Sequence, residues 1–270
     1  MTGEKKKGGQ DKWRLRGHAK EKFYRWLASW SIAYRTPGDL GYSDEGYILP
    51  PLNIHKVTVK SDYRPEGQLF FTGLKGIGDR SAVRRETVDD RLQALVELVK
   101  EHPDDQWIIW CGLNPESEAA TAALAGLGAV EVTGSDKIEH KIETIERFQD
   151  GQIRVLVSKP KIAGMGMNFQ NCHRMAFFGL GDSWEQYYQA IRRCYRFGQS
   201  YPVDAYIILS EIEEAIYQNV MAKEREAKTM SEELIKHMQG YELEELAGVE
   251  AEGYQYKTDI AKGEDWEIRL

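Results

Sequence analysis

The residues best suited to chemistry lie between Trp184 and Gln199, in the run WEQYYQAIRRCYRFGQ. At 3.6 residues per turn the spacing predicts a helix with Gln189, Arg192, Arg193, Arg196 and Gln199 on one face. Trp184, Tyr187, Ile191, Cys194 and Tyr195 fall largely on the opposite face, which would fix the helix to a core. Like charges at helical spacing repel, and a face needed only for solubility would mix in glutamates. Guanidinium forks in this number suit phosphate oxygens, which they can grip with two parallel hydrogen bonds. For an arginine cluster taken alone, a solvated basic face is the competing reading.

A second group precedes it. The run IRVLVS is followed by a glycine-containing stretch, Ser158 to Asn168, SKPKIAGMGMN. Glycines after a buried strand let backbone amides approach a phosphate closely, although a tight turn explains such glycines equally well. A different stretch, GLKGIGD at residues 73–79, invites a phosphate-loop reading but lacks the GxxxxGK[ST] spacing. Without the terminal Lys-Ser/Thr pair nothing there holds terminal phosphates and Mg²⁺, so Phe70 to Arg85 reads as a flexible connector. His140, His173 and His237 lie far apart and show no ligand spacing, so no metal site is expected.

The elements that must position these residues follow from hydrophobic patterning. Phe23 to Tyr34 reads as an amphipathic helix with a bulky aromatic face, ended by Thr36–Pro37–Gly38–Asp39. The segment GYSDEGYILPPLN is extended, and HKVTV (His55 to Val59) alternates like a strand. Glu86 to Glu101 reads as a helix with Leu92, Leu95, Val96 and Val99 on one face. From Gln106 strands and helices alternate. The expected strands are Trp107–Cys111, Ala129–Thr133, Ile153–Ser158, Arg174–Phe178 and Val203–Leu209. The expected helices are Glu116–Leu127, Ile138–Gln149, the arginine helix, and Glu211 to His237. Repeated βα units with near-continuous apolar strands predict an α/β fold, a parallel sheet with helices on both faces. Ligands of such sheets bind at the carboxyl ends of the strands.

On these residues the sequence resembles the C-terminal RecA-like lobe of superfamily-two helicases, in the form used by Swi/Snf-type DNA translocases. Gln189, Ala190, Arg193, Arg196, Gly198 and Gln199 match motif VI, Gln-Ala-x-x-Arg-x-x-Arg-x-Gly-Gln, with Arg192 standing where the family usually has Gly. Ser158, Ala163, Gly164, Gly166 and Asn168 match motif V, with Phe169 for the usual Leu. WIIWCGLNPESEA resembles motif IV, and VTGSDKIEHKIETIERFQDG the stretch in which a Thr-Gly loop precedes a helix. Asp182, Ser183 and Trp184 match the lead into motif VI. The resemblance runs from about Trp107 to Ala222. Before Gln106 the aromatic helix and the DLGY…ILPPLN segment look like the linker of phage-encoded members of the DEAD/DEAH type.

The resemblance implies that Arg193 and Arg196 are catalytic, Arg196 as arginine finger, and that Gly164, Gly166, Asn168 and Gln189 join them around ATP. It implies nucleic-acid backbone contacts from Gly112, Asn114, Thr133, Gly134, Ser158 and Lys159. The family's first lobe supplies the phosphate-loop lysine and the DExx box that holds Mg²⁺, and neither motif occurs in these 270 residues. The expectation is therefore a second motor lobe of an ATP-dependent DNA helicase or translocase, inactive as an isolated chain. Its cofactors would be ATP and Mg²⁺, the latter held by the first lobe. Its partners would be DNA, met without reading sequence, and that P-loop lobe in cis or in trans. Two readings compete: a non-catalytic nucleic-acid-binding or regulatory module that kept the fold, and a dinucleotide enzyme. The second needs GxGxxG at the first βα turn, where this chain has GLNPES.

The net charge of −7 excludes a globally basic binder of nucleic acid, but charge is uneven. Residues 1–22 read as a basic disordered tail, 23–105 as a linker and helical extension, 106–240 as the RecA-like domain, and 241–270 as an acidic tail. No apolar run is long enough to cross a bilayer, no signal peptide is evident, and Cys111, Cys172 and Cys194 lack metal-ligand spacing. These features predict a reduced cytoplasmic protein without a membrane partner.

Overall fold

The structure is a computed structural model that describes residues 19–31, 33–61, 77–163 and 167–246. Most of both predicted tails (1–18 and 247–270) and residues 62–76 lie outside the described residues, while 20–22 and 241–246 belong to helices. The rest of the Phe70–Arg85 stretch is not a flexible connector: Ile77–Glu86 is a helix, with Val83 and Arg84 buried in the core.

Contacts divide the chain into two units, residues 45–227 and the combination of 1–44 with 228–270. The larger unit is built on one six-stranded sheet. Its strands are β1 (Leu52–Val59), β2 (Trp107–Cys111), β3 (Ala129–Val132), β4 (Val155–Ser158), β5 (Arg174–Phe178) and β6 (Val203–Ser210). The order is β1-β6-β5-β2-β4-β3, and every pairing is parallel. The helices are α1 (Lys20–Ala28), α2 (Ile77–Glu86), α3 (Val88–Glu101), α4 (Asn114–Leu124), α5 (Ile138–Gln149), α6 (Pro160–Ala163), α7 (Trp184–Cys194) and α8 (Glu214–Leu246).

The parallel α/β fold expected from the sequence is present, and strand side chains alternate between its two faces. Ile108, Trp110, Leu156, Met175, Phe177, Ala205 and Ile207 pack with α5, α7 and the start of α8. Trp107, Ile109, Val155, Val157, Ala176, Phe178 and Ile208 pack with α3 and α4. Strands buried on both faces need such continuous apolar runs, which is why WIIWC is wholly buried.

The sheet begins ahead of Gln106. β1 starts at Leu52, three residues before the expected strand, because β6 runs eight residues and pairs with all of it. Pro51 sits just outside, where its missing N–H costs nothing and its carbonyl accepts from Val203 N at 2.9 Å. The predicted Glu86–Glu101 helix is interrupted: α2 ends at Glu86, and the buried Thr87 hydroxyl bonds the Val83 carbonyl at 2.9 Å before α3 begins.

The core also encloses charge. Arg84, Arg91, Glu116 and Glu213 are all buried. Arg84 holds Glu116 through both ends of its fork, Nε to Oε1 at 2.9 Å and Nη2 to Oε2 at 2.5 Å. Arg91 Nη2 reaches the same Oε1 at 3.1 Å, and its Nε lies 3.5 Å from Glu213 Oε2. Glu213 in turn accepts from the backbone N–H and hydroxyl of Ser210. Two arginines and two glutamates balance in charge, which is what lets them leave water together.

In the smaller unit, the buried Tyr24 of α1 stacks on His237 of α8, ring centroids 5.6 Å apart. Trp26, Trp30 and Tyr34 remain exposed. The predicted Phe23–Tyr34 helix stops at Ala28, where the Ser29 and Ser31 hydroxyls take up the Trp26 and Leu27 carbonyls at 2.7 Å each.

Gly179, just past β5, has φ +89, and a Cβ there would stand 2.4 Å from Glu116 Oε1 and 2.7 Å from Arg91 Nη1. Gly179→Ala is therefore expected to cost at least ~1–3 kcal/mol from backbone strain alone, with more from displacing the buried ion pairs. A lowered urea midpoint at unchanged m-value checks it.

Candidate functional site

The chain leaves β2 at the sheet centre, fills β3 and β4 on one side, and returns to place β5 and β6 on the other. Such a reversal of direction leaves a crevice at the carboxyl ends of the central strands. Five of the six residues expected at nucleic acid lie in the loops after β2, β3 and β4, which are adjacent there: Gly112 and Asn114, Thr133 and Gly134, and Lys159. The Asn114 side chain accepts from Lys159 Nζ, bridging the β2 and β4 loops.

The loop after β3 is fixed by its own turn. Asp136 Oδ2 accepts from Thr133 N at 2.7 Å and Oδ1 from the Thr133 hydroxyl at 2.8 Å. Lys141 Nζ caps the Gly134 carbonyl at 2.7 Å. The backbone N–H of Thr133 is the main reason the Asp136 carboxyl titrates below its ordinary value, with Thr133 Oγ1 and the nearby His140 and Lys141 adding to it.

Two expected contacts are turned inward. Ser158, the last residue of β4, is buried, and its hydroxyl donates to the Val132 carbonyl at 2.9 Å, so it ties β4 to β3. Gly112 is exposed, but its N–H donates to Glu116 Oε2 at 3.0 Å, as does that of Leu113.

The second surface surrounds the end of α7. Ser183 caps the helix by accepting from Gln186 N at 3.3 Å. The apolar face forms as predicted, with Tyr187, Ala190, Ile191 and Cys194 buried. Burial in that core also pushes the Tyr187 phenol upward.

The helix ends at Cys194, five residues short of the expected end. Gly198, at φ +92, turns the chain back. Gln199 is therefore not on the polar face. It is buried, and its Nε2 faces the carbonyls of Gln170, Cys172 and Cys194 at 3.1, 3.1 and 3.2 Å. Arg192 also departs from the predicted face. It is exposed and lies against its own helix, its guanidinium 5.5 Å from the Tyr188 ring and 5.7 Å from Tyr195.

Arg193 and Arg196 are brought together, both half-buried. Arg193 Nη1 points to the Met167 carbonyl at 3.4 Å, and Arg196 Nη1 donates to the Asn168 side chain. Phe169 N donates to the Arg193 carbonyl at 2.9 Å, locking that strand of chain to the helix end. Desolvation and then the charge of Arg196 lower the Arg193 pKa. Among the described residues no carboxylate pairs with either arginine. Gln189 lies one to two turns back, bonded to Glu185 at 3.1 Å. Gly164 and Gly166 lie outside the described residues. The stretch before them is not loop throughout, since Pro160 starts the single helical turn α6.

The charged cluster had a sequence signal. Arg91 shares the heptad-like spacing of Val88, Leu95 and Val99, and all four are buried.

Residues 90–198 match the family model described as the helicase conserved C-terminal domain. The match runs from within α3 to Gly198, so it contains β2 to β5 and both Arg193 and Arg196. Among curated proteins, "Protein CHROMATIN REMODELING 24" of Arabidopsis thaliana is 25% identical over 134 residues, spanning 48% of this chain and 12% of that protein. A solved structure titled as the C-terminal part of the Fun30 ATPase domain aligns with TM-score 0.45 and 21% identity, over 48% of this chain and 45% of that one. A DEAD box protein from the hyperthermophile Methanococcus jannaschii aligns with TM-score 0.48 and 16% identity, over 64% of this chain and 39% of that one. Residues 90–198 are thus similar to the helicase conserved C-terminal domain, and the chain spans about an eighth of the length of the curated relative it matches. The phage source expected from the segment before Gln106 finds no support in these relatives.

The Asp136 carboxyl yields a pH prediction. Its folded pKa is depressed, so its contribution to the Thr133 turn is full above the ordinary aspartate value of about 3.9 and is lost as pH falls through the lower folded value. The Thr133 and Gly134 amide resonances should hold their positions down to that range and shift below it, and Asp136→Asn should show the shifted positions at neutral pH.

Proposed function

We propose that this chain is the second motor lobe of an ATP-driven DNA translocase of the Swi/Snf type. The observation that carries the reading is the pair Arg193 and Arg196, held beside one another by Met167 and Asn168 with no carboxylate partner among the described residues. Two guanidiniums kept close against their mutual repulsion favour an anion, and the phosphates of ATP bound by another lobe supply one. Arg196 meets the charge that develops on the transferred phosphoryl group, the role of an arginine finger. Arg193 and Gln189 bind beside it. The stretch containing Gly164 and Gly166 leads directly to Asn168 and carries the remaining backbone contacts to ATP.

Phosphoryl transfer also needs a metal and a phosphate cradle. Among the described residues no three His, Cys, Asp or Glu side chains gather into a ligand set. We assign Mg²⁺ and the phosphate loop to the first lobe, in cis or in trans.

The edge formed by the β2, β3 and β4 loops takes the DNA backbone. Lys159 supplies charge, Asn114 and the Thr133–Gly134 turn supply polar groups, and none of these is placed to read bases. The Ser158 hydroxyl acts from behind, by fixing β4 to β3.

Binding of a fluorescent duplex at several salt concentrations tests the reading. Affinity should be weak and independent of sequence, and Lys159→Ala should reduce the log–log salt slope by about 1. Sequence-specific binding that is insensitive to salt would contradict it. The isolated chain should show no ATP turnover with saturating DNA, and robust turnover would remove the need for a first lobe.

A further inference from the structure

We propose that Arg84 and Arg91 are positioning residues for the nucleic-acid contact, acting through Glu116 on the loop Gly112–Asn114. This rests on the reading of that loop as a DNA-backbone contact.

The geometry is that of a single carboxylate shared between two tasks. Glu116 is fully buried in the first turn of α4. Its Oε2 accepts the N–H groups of Gly112 and Leu113, at 3.0 Å each, and Arg84 Nη2 at 2.5 Å. Its Oε1 accepts Arg84 Nε at 2.9 Å and Arg91 Nη2 at 3.1 Å. Five donors thus converge on two oxygens. Two come from the loop and three from arginines on α2 and α3. Arg91 also donates to the Arg84 carbonyl at 2.6 Å, so the two arginines are fixed to each other.

Consequences for the loop follow. Its inner amides are spent on Glu116 and cannot turn outward to a phosphate. The outward groups are then Asn114 and its partner Lys159. Where these stand depends on where Glu116 stands, and Glu116 is set by two guanidinium forks rather than by apolar packing. A carboxylate in a dry core that lost one fork would move toward its remaining donors, carrying the loop with it. Neither arginine has to touch the ligand. Arg85, next to Arg84 on α2 but exposed, has no part in this and serves as the control for charge alone.

The test compares Arg84→Lys, Arg85→Ala, Asn114→Ala and the wild-type full chain, each binding a fluorescent duplex well below its own melting temperature. Lysine keeps the charge of residue 84 but cannot span both Glu116 oxygens. Expected are a roughly tenfold weaker Kd for Arg84→Lys, a comparable loss for Asn114→Ala, and a change below about twofold for Arg85→Ala. If Arg84→Lys binds as wild type while Asn114→Ala is weakened, the loop contacts DNA but the arginines do not position it, and the proposal fails alone. If Asn114→Ala binds as wild type, or the wild type does not bind, the reading of the loop fails and takes the proposal with it. Should Arg84→Lys not fold, hydrogen exchange of the wild type decides. The Gly112 and Leu113 amides should exchange at least ~100-fold slower than in an open chain, and unprotected amides would overturn the proposal.

Discussion

The carboxylate of Glu116, buried with five donors on its two oxygens, is the constraint on which much of this structure depends. Through it α2 and α3 are tied to the turn that leaves the central strand β2. Through Arg91 and Glu213 the same network reaches Ser210 at the end of β6. Gly179 at the end of β5 leaves the room it needs. The carboxyl ends of β2, β5 and β6 thus share one electrostatic centre. Breaking such a centre by removing one partner leaves a charge without compensation, at a cost of roughly 3–5 kcal/mol. A network that costly to disturb is a firm support for the loops at this end of the sheet.

The six-stranded unit accordingly presents two polar surfaces on one scaffold. One is the strand edge with Asn114, Lys159 and the Thr133 turn. The other is the arginine pair past the end of α7. Residues 160–163 leave β4 beside the first, and residues 167–173 pass the second before β5.

Much of this was legible in the sequence because parallel strands buried on both faces leave nearly continuous apolar runs. Trp107–Cys111, Arg174–Phe178 and Ile138–Gln149 have the predicted bounds. β1 was half legible, since LNI before HKVTV is short and lies behind two prolines, and only pairing with β6 reveals it as strand. At the arginines, residue type was legible and orientation was not. A helical wheel carried through Gln199 put five residues on one face. The chain turns at Gly198, so Gln199 is buried, and Arg192 lies on Tyr188 and Tyr195 instead. The cluster of Arg84, Arg91, Glu116 and Glu213 was missed because charge at a core position reads as surface unless its partners are known, and these lie 25 to 32 residues apart or more.

The central claim is that Arg196 acts on the phosphoryl group undergoing transfer. Its most direct measure is kcat for DNA-stimulated ATP hydrolysis by the complete two-lobe enzyme, comparing Arg196→Ala and Arg196→Lys with wild type at matched folding by circular dichroism. An arginine finger is worth about 10³–10⁵ in rate, and a lysine lacks the planar fork. A loss of that order for alanine, only partly relieved by lysine, is the predicted result. Wild-type turnover in Arg196→Ala would contradict it.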